Sequence, residues 1–280
     1  MRQQPGVVIA LVKSVDDPSA LGRIQVEFPW LSDRNQSAWA PLAVPLAGKK
    51  RGMYFLPEVG DEALVAFEHG DLAHPFIIGF LWNGVDKPPN EGIDHSVRRL
   101  WTVSGHIMDF DDRDGQEAIT ITTQGKQKIE MKDNTAAISI ALKESGHHID
   151  LKETEGTILI KTKNGQQIEL NDQPGKMTLQ VMSGNKVTIE PTQVEVSALG
   201  STVKIDASGV TVQAPSGMLN ITCASANVTA TGAMNVTASS VLNVTAPIAT
   251  FSGIIQATMV QASAIVGSAY TPGPGNTFGL

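Results

Sequence analysis

The stretch NVTATGAMNVTASSVLNVTA (residues 227–246) decides the fold, because Asn-Val-Thr-Ala recurs in it at 227, 235 and 243. A related copy, Asn-Ile-Thr-Cys, occupies residues 220–223. A short, fixed period indicates one small structural unit stacked on itself. A strand rises about 3.3 Å per residue, so a unit of about eight residues holds only one or two short strands. The stretch therefore predicts a stack of short β-strands.

This repeat lies in an uncharged tract, residues 207–280, which contains no Lys, Arg, Asp, Glu or His. A soluble surface is ordinarily about 25–35% charged, so this is not an ordinary globular segment. Thr, Ser, Asn and Gly interrupt every apolar run before it reaches the length of a membrane-spanning helix. Two interpretations of the neutrality stay open. A neutral skin lowers the cost of entering a bilayer, and small neutral residues also suit tight packing.

A longer repeat precedes the tract, in residues 101–206. It is led by glycines at 105, 125, 146, 165, 184 and 200. In most copies an apolar-x-apolar pair such as Ile168/Leu170 begins three residues after the glycine, and in the Gly125 copy it begins one residue late. Between these pairs lie alternating segments at 118–122 and 157–161, in which one set of side chains faces inward. We expect a ladder of β-strands in which Gly165, Gly184 and Gly200 adopt positive φ at turns.

The first 90 residues combine short β-like runs with Pro and Gly punctuation, which is typical of a small barrel or sandwich. No long window shows helical periodicity. The predicted strands are Gly6–Val12, Arg23–Phe28, Trp39–Pro45, Glu62–Glu68 and Phe76–Leu81.

The narrow stack of strands predicted for the tract cannot pair all of its backbone N–H and C=O groups within one copy. Its open strand edges invite pairing with other chains, and buried backbone groups need hydrogen-bond partners. Three chains wound around one axis meet both needs, with Val, Ile, Met and Leu filling a shared core. We therefore expect an intertwined homotrimeric β-prism.

Composition bounds the function. The net charge of −7 and the lack of a basic stripe argue against nucleic-acid binding. Cys223 is the single cysteine and takes the place of Ala230 and Ala238 in sister repeats, so we interpret it as a small buried filler. The start of the chain, MRQQPGVVIALVK, lacks a signal-peptide pattern, so we expect assembly in a cytoplasm.

Several polar clusters are candidate sites. Asp109, Asp111, Asp112 and Asp114 precede Gly115, but the spacing fails the calcium-loop pattern, which favours an ordinary solvated turn. His147 and His148 are adjacent and must point to opposite faces of a strand, so within one chain they cannot share a metal. A ring of three copies of one of them, or of His106, around the axis stays the alternative to surface imidazoles.

The remaining candidates are also better explained by structure than by chemistry. Glu68, His69, Asp71 and His74 fall in a predicted strand and turn. The Asn-x-Thr triplets at 220, 227, 235 and 243 match glycosylation acceptors but follow the strand period. No hydrolase, metalloprotease or phosphate-loop motif occurs. The prediction is thus a non-enzyme with no catalytic, cofactor-binding or metal-binding residues.

Three segments together carry a family resemblance: GRIQVEFPWL (22–31), WAPLAVPLAG (39–48) and GMYFLPEVGDEALVAFEHGDLAHPFIIGFLWNG (52–84). They resemble the OB-fold of contractile-injection spike proteins, the phage baseplate assembly protein V and type VI secretion VgrG families. SGHIMDFDD (104–112) and SGHHIDLKE (145–153) resemble the start of their trimeric β-helix. The resemblance implies a five-stranded OB-fold collar at residues 1–95, charged β-helix repeats at 96–206, and an uncharged needle and tip at 207–280.

The resemblance also implies a role and partners. Such a spike is seated on a trimeric hub protein at the tail tip, and sheath contraction drives it through the target membrane and cell envelope. The sequence begins almost at the OB-fold, which favours a separate hub, and residues 90–99 leave no room for a lysozyme domain. A separate PAAR-type protein is expected to cap the apex, where TPGPGN (271–276) and Phe278 end the repeat.

Three further readings stay open. One is a VgrG-type secretion spike that carries tip or effector proteins. The second is an OB-fold module that binds oligonucleotide or oligosaccharide, which would need exposed stacking aromatics and a basic groove; Trp30, Trp39 and Trp82 are instead scattered among apolar strands. The third is a solenoid enzyme acting on polysaccharide, which would need a convergent acid and base in the middle zone.

Overall fold

The architecture is all-β, as predicted. A computed structural model describes residues 6–31, 37–89, 93–142, 145–264 and 266–267. Within these ranges the elements are β-strands and one 3-10 turn, Glu68–Gly70. None of the described residues forms a helix long and apolar enough to cross a membrane. The chain divides into two units, Met1–Leu219 and Asn220–Leu280.

The N-terminal strands form a small barrel. Four of them make an antiparallel sheet in the order β2-β1-β5-β6, and β3 pairs with β4 in a separate hairpin. The bounds are β1 Val7–Ser14, β2 Gln25–Glu27, β3 Ala47–Gly48, β4 Arg51–Gly52, β5 Glu62–Phe67 and β6 Pro75–Leu81.

The fifth member of the barrel is reduced to two bridges. Ala40 pairs antiparallel with Ile24, beside β2, and Leu42 pairs parallel with Ile77 of β6, so this segment closes the ring between the two outer strands. The sequence predicted a full strand over Trp39–Pro45. Two prolines, Pro41 and Pro45, lack the N–H that a continuous ladder requires, so the pairing stays local.

The barrel contains a conventional hydrophobic core. Alternate residues of its strands point inward, and the segment around Ala40 completes the lining. The buried hydrophobic side chains are Ala10, Val12, Ile24, Val26, Phe28, Ala40, Ala63, Val65, Phe67 and Ile77. Phe28 packs against Phe67 with ring centroids 5.7 Å apart. This domain therefore has a hydrophobic core that is complete within one chain.

The next part is a 13-stranded antiparallel sheet, here called the ladder, in which each strand pairs with the strand that follows it in sequence. All its described strand pairings join strands of one chain, and they include the predicted segments at 118–122 and 157–161. The bounds are β7 Val97–Trp101, β8 Ile107–Asp111, β9 Ala118–Thr122, β10 Gln127–Lys132, β11 Ala137–Leu142, β12 His147–Lys152, β13 Thr157–Lys161, β14 Gln167–Asn171, β15 Lys176–Gln180, β16 Lys186–Glu190, β17 Gln193–Ala198, β18 Ser201–Asp206 and β19 Gly209–Gln213.

The ladder turns are built on residues with positive φ. The predicted glycines adopt it, with φ of 82° at Gly165, 84° at Gly184 and 83° at Gly200. In the copy that starts one residue late, the left-handed position is taken by Lys126, with φ of 66°, instead of Gly125. The shift of one residue in the sequence pattern thus reflects a turn whose left-handed residue comes one place later.

The uncharged tract differs from the ladder in that most of it forms no described strand in the single chain. Its first residues complete β19, but no strand occurs among residues 214–264 and 266–267. Every described residue from Pro215 onward is exposed. The expected pairing of these repeats with neighbouring chains stays a prediction, because one chain cannot supply the neighbours. The predicted tip, including Tyr270, residues 271–276 and Phe278, lies outside the described residues.

Candidate functional site

One face of the ladder carries two columns of side chains that are apolar on every strand except at Arg98 of β7. The register of each strand pair aligns them, for example Ile149 with Ile160 and Leu151 with Ile158. The first column runs Leu100, Met108, Ile121, Ile129, Ile140, Ile149, Ile160, Ile168, Leu179, Val187, Val196, Val203 and Val212. The second starts at Arg98 and continues through Phe110, Ile119, Met131, Ile138, Leu151, Ile158, Leu170, Met177, Ile189, Val194, Ile205 and Val210. We call this surface the apolar face.

The apolar face is uncovered in the single chain. Ile140 is 42% exposed, Ile168 is 41% exposed and Ile205 is 50% exposed. Among the described residues, no hydrophobic side chain after Ile77 is buried. Strands spaced about 4.8 Å apart give the face a length of about 58 Å. A contiguous apolar surface of this extent is unusual on a monomeric protein and indicates an interface.

The opposite face is polar, and among its described residues Thr178 and Thr188 are buried, the Thr188 hydroxyl without a hydrogen-bond partner. Its central column is polar on every strand except at Leu159: it runs Arg99, Asp109, Thr120, Glu130, Ser139, Asp150, Leu159, Glu169, Thr178, Thr188, Glu195, Lys204 and Thr211. Ion pairs brace this face, including Lys176 with Glu190 at 3.0 Å and Lys204 with Asp206 at 2.8 Å. The pKa of Asp206 is lowered, first by the hydrogen bond from Lys204 and then by Ser208. Several charged residues of this face are therefore paired with one another.

The surface area agrees with an unfinished assembly. The single chain exposes 22145 Å². A compact monomer of 29.7 kDa is expected to expose only about 11,600 Å². The single chain therefore exposes far more surface than a compact monomer of its mass.

The acidic cluster of β8 and the turn after it is largely neutralised by arginines. Asp109 pairs with Arg99 at 2.5 Å and Asp111 pairs with Arg113 at 2.5 Å. Asp112 pairs with Arg98. The hydrogen bond from Arg113 lowers the pKa of Asp111 to about 2. No group of three His, Cys, Asp or Glu side chains converges anywhere in the described part of the chain.

The histidines are dispersed. His147 is paired with Leu142 and His148 with Ala141, so the two rings point to opposite faces, as predicted. The Nε2 atom of His148 lies 3.7 Å from Asp150 on the polar face. His147 lies on the side of Ile149, at the margin of the apolar face and outside its two columns.

The other polar group considered, at the end of β5, also forms a turn. Glu68–Gly70 forms the 3-10 turn, and the backbone of His69 within it has a φ of 49°. His74 Nδ1 lies 3.1 Å from Asp71 Oδ2. The pKa of Asp71 is lowered, first by the hydrogen bond from the Ala73 N–H and then by His74. These contacts shape the loop between β5 and β6.

Two further surfaces lie on the barrel. Its outer face exposes apolar residues, among them Ile9 of β1 at 50% and Ile78 of β6 at 45%. Separately, β3 and β4 form a hairpin with Lys49, Lys50 and Arg51 at its tip. The sequence pattern does not predict this hairpin, although the run Gly-Lys-Lys-Arg-Gly at 48–52 contains a turn signal between two glycines.

Comparison with known proteins places both parts of the chain. Residues 8–82 match the Type VI secretion system/phage-baseplate injector OB domain. Residues 157–238 match the phage baseplate V C-terminal trimerisation domain. The first match covers the barrel, and the second covers the later half of the ladder and three copies of the short repeat.

Individual relatives agree with these matches. The chain is 30% identical over 113 residues to the type VI secretion system spike protein VgrG3 of Vibrio cholerae. This alignment covers 37% of this chain and 11% of VgrG3. It is 31% identical over 114 residues to the type VI secretion system spike protein VgrG5 of Pseudomonas aeruginosa, in an alignment that covers 37% of this chain and 14% of VgrG5. The chain thus spans a small part of these relatives' length. Among solved structures, the TCP10 domain of Danio rerio CPAP aligns with 44% of this chain and with 71% of the TCP10 chain, at 13% sequence identity. The TM-score of this alignment is 0.29, which supports no inference.

Proposed function

This chain carries the injector OB domain and the trimerisation domain of the phage baseplate V and type VI secretion spike family, and we propose that it is the trimeric central spike of a contractile injection machine. The observation that carries the proposal is the apolar face. It is continuous over the whole ladder, and no hydrophobic residue of the described ladder is buried in one chain.

In the proposed trimer, three ladders turn their apolar faces toward a common axis. The polar faces, with ion pairs such as Lys204–Asp206, then face water. Each apolar face is only two columns wide, about 7 Å between alternate residues of a strand. Three narrow stripes can enclose one axis and exclude water from it. The match of residues 157–238 to a trimerisation domain supports three copies over two.

The uncharged tract extends the same assembly. The trimerisation match continues to residue 238, beyond the last strand of the ladder. The repeats after Gln213 have no described strand pairing within the chain, so their backbone groups need neighbours in the assembled state. Strands contributed by all three chains in turn would give an intertwined needle. This supplies the pairing that a single chain lacks.

The proposed mechanism is mechanical. The sheath of the machine supplies the energy, and the spike transmits axial force to the target envelope without buckling. A continuous β-ladder with its side chains packed around an axis resists bending. An uncharged surface reduces the desolvation free energy that is lost when the spike enters a membrane. The relatives named above are spike proteins, and we propose no catalytic role and no bound cofactor for this chain.

The partners follow from this geometry. The barrel is proposed to seat on a trimeric hub protein, since its outer face exposes Ile9 and Ile78. A PAAR-type protein is proposed to cap the C-terminal apex. The spike would be assembled in the cytoplasm and carried at the baseplate until firing. Because the relatives are type VI secretion spikes, a VgrG-type spike that delivers tip or effector proteins is the second candidate.

Mass and shape of the purified full-length chain test the proposal. Light scattering coupled to size exclusion should give three times the chain mass of 29.7 kDa, and negative-stain images should show elongated particles. A trimer that persists in SDS without heating would agree. A compact monomer at micromolar concentration would refute the spike. Binding to a purified hub protein, compared with binding of effector candidates, separates the two candidates.

A further inference from the structure

The hairpin of β3 and β4, here called the basic hairpin (residues 46–55), is held in a strained geometry. Its strands pair Ala47 with Gly52 and Gly48 with Arg51, which leaves Lys49 and Lys50 as the two turn residues. Lys50 has φ of 56°, a left-handed conformation that glycine would adopt without steric cost. Strained residues cluster at functional sites, which makes this turn a candidate for one.

Gly52 fixes the shape of this hairpin. Its φ is 150°, and a Cβ atom at this position would lie 2.6 Å from the carbonyl oxygen of Leu46. Such a contact is too short for any side chain. The two strands can approach this closely only because Gly52 has no side chain, and the approach holds the three cations at one tip.

The tip carries three consecutive cations without counter-charges. No carboxylate lies within ion-pair distance of Lys49, Lys50 or Arg51 in the part of the chain that the structure describes. Arg99 and Arg113 of the ladder differ, since each is paired with an aspartate. In a chain with a net charge of −7, three unpaired cations side by side form a local positive patch.

Apolar side chains surround the patch. Leu46 is 54% exposed and Phe55 is 54% exposed. They line a groove of about 510 Å³ together with Leu21, Leu42 and Met53. A concave apolar groove beside a positive tip fits a protein surface that offers a protruding apolar side chain and nearby carboxylates. A bilayer offers no such protrusion.

We propose that the basic hairpin is the docking element by which the spike selects its hub: it binds an acidic protein surface that inserts an apolar side chain into the groove. This rests on the proposed function, because it assumes a spike seated on a hub. Charge complementarity directs the encounter and rejects uncharged or basic partners. The groove then holds the bound partner by burial of apolar area.

The test uses the full-length trimer and the trimeric hub protein purified from the same particle. A triple variant, Lys49→Glu, Lys50→Glu and Arg51→Glu, should bind the hub at least ten-fold more weakly than the unaltered spike. The matched control makes the same charge change at the unpaired cations of the ladder, Lys126, Lys161 and Lys163, and should bind within two-fold of the unaltered spike. Affinity of the unaltered spike should fall as salt rises.

A second variant guards against misfolding. Lys50→Gly relieves the left-handed strain, so the barrel should melt at a higher temperature, yet the hub should bind two- to three-fold more weakly. Equal hub binding by the triple variant and the unaltered spike overturns the proposal. So does binding of the unaltered spike to phosphatidylglycerol vesicles but not to the hub. The oligomeric state is read separately by light scattering, so a chain that fails to trimerise refutes the spike function itself.

Discussion

Ile149 and Ile160 lie directly opposite each other on β12 and β13, and both side chains belong to a face that no part of the described chain covers. Ile160 remains 41% exposed even though it has a cross-strand partner. Cross-strand pairs normally stabilise a sheet when one face is buried. The same arrangement on every strand pair of the ladder is the basis for expecting that burial comes from other copies of the chain.

A charge placed on the apolar face should therefore abolish the trimer. Ile160→Lys would bring three ammonium groups to the axis, where the loss of each aliphatic side chain alone costs about 2–5 kcal/mol and an unpaired buried charge adds more. We expect the variant to elute as monomer or aggregate, measured by light scattering at the concentration at which the unaltered chain is trimeric.

The adjacent residue provides the control. Leu159 lies on the polar face, between Asp150 and Glu169. Leu159→Lys makes a comparable aliphatic-to-lysine change, and its ammonium faces two carboxylates in water. This variant should remain trimeric. If both variants behave alike, the apolar face is not the core of the assembly.

The strands and turns of the ladder could be predicted from the sequence because both depend on neighbouring residues. Alternation within 157–161 predicts β13, and the glycine period predicts the turns. Register is not local, so the alignment of Ile160 with both Ile149 and Ile168 could not be derived from the pattern. The two continuous columns emerge only when every turn has the length that preserves this register.

Turn chemistry predicts a stabilising substitution. Ala136 has φ of 45° in the turn after β10, whereas the corresponding residues of two later turns are Gly156, with φ of 60°, and Gly175, with φ of 62°. Ala136→Gly should raise the free energy of unfolding by about 0.5–1 kcal/mol per chain, because the left-handed conformation is costly for alanine. Guanidinium unfolding at fixed chain concentration measures it.

The reverse substitution serves as the control. Gly156→Ala introduces a Cβ that would lie 3.4 Å from Asp172 Cβ, an ordinary contact, so its cost comes from backbone strain alone. It should lower the unfolding free energy by a similar amount. A gain in stability from Gly156→Ala would show that positive φ does not determine these turns.

An acid-sensitive contact in the barrel gives a prediction about pH. Asp17 accepts hydrogen bonds from Arg23 Nε at 2.9 Å and Nη2 at 2.8 Å, and also from the N–H of Ser19 and Leu21. The pKa of Asp17 is lowered, first by Arg23. The unfolded chain therefore takes up a proton at higher pH than the folded chain does. The stabilisation is full above about pH 4 and is lost as the pH falls below it.

Asp17→Asn should accordingly be less stable than the unaltered chain at neutral pH, and its stability should decline less steeply between about pH 4 and pH 2. Tryptophan fluorescence during denaturant unfolding at several pH values measures both effects. Asp16→Asn is the control, since the exposed Asp16 side chain makes no described ion pair. An acid limb of equal slope in Asp17→Asn and the unaltered chain would contradict the role given to Asp17.

The barrel shows where sequence reasoning stops. Four of its five predicted strands are present, because alternating apolar residues such as Ala63, Val65 and Phe67 form the core. The segment at Trp39–Pro45 was predicted as a strand from its composition, but its role in closing the barrel depends on a parallel contact of Leu42 with Ile77, distant in sequence. The basic hairpin was missed because a two-residue strand has no periodicity to detect.

The uncharged tract can be tested through its single thiol. Cys223 is exposed in the single chain, and the repeat places it where Ala230 and Ala238 stand in later copies. If three chains pack their repeats around one axis, this small position should be covered by neighbours. We expect the thiol of the native trimer to react with a thiol reagent at least ten-fold more slowly than the thiol of the guanidinium-unfolded chain.

A double variant, Cys223→Ala with Ser216→Cys, moves the thiol to the turn closed by the hydrogen bond from Gly217 N–H to Ala214 O. That thiol should react freely in the native trimer, because turns stay on the surface. Equal fast reaction at both positions in a verified trimer would mean that the tract remains unpacked in the assembly, and the needle would then have to end with the ladder.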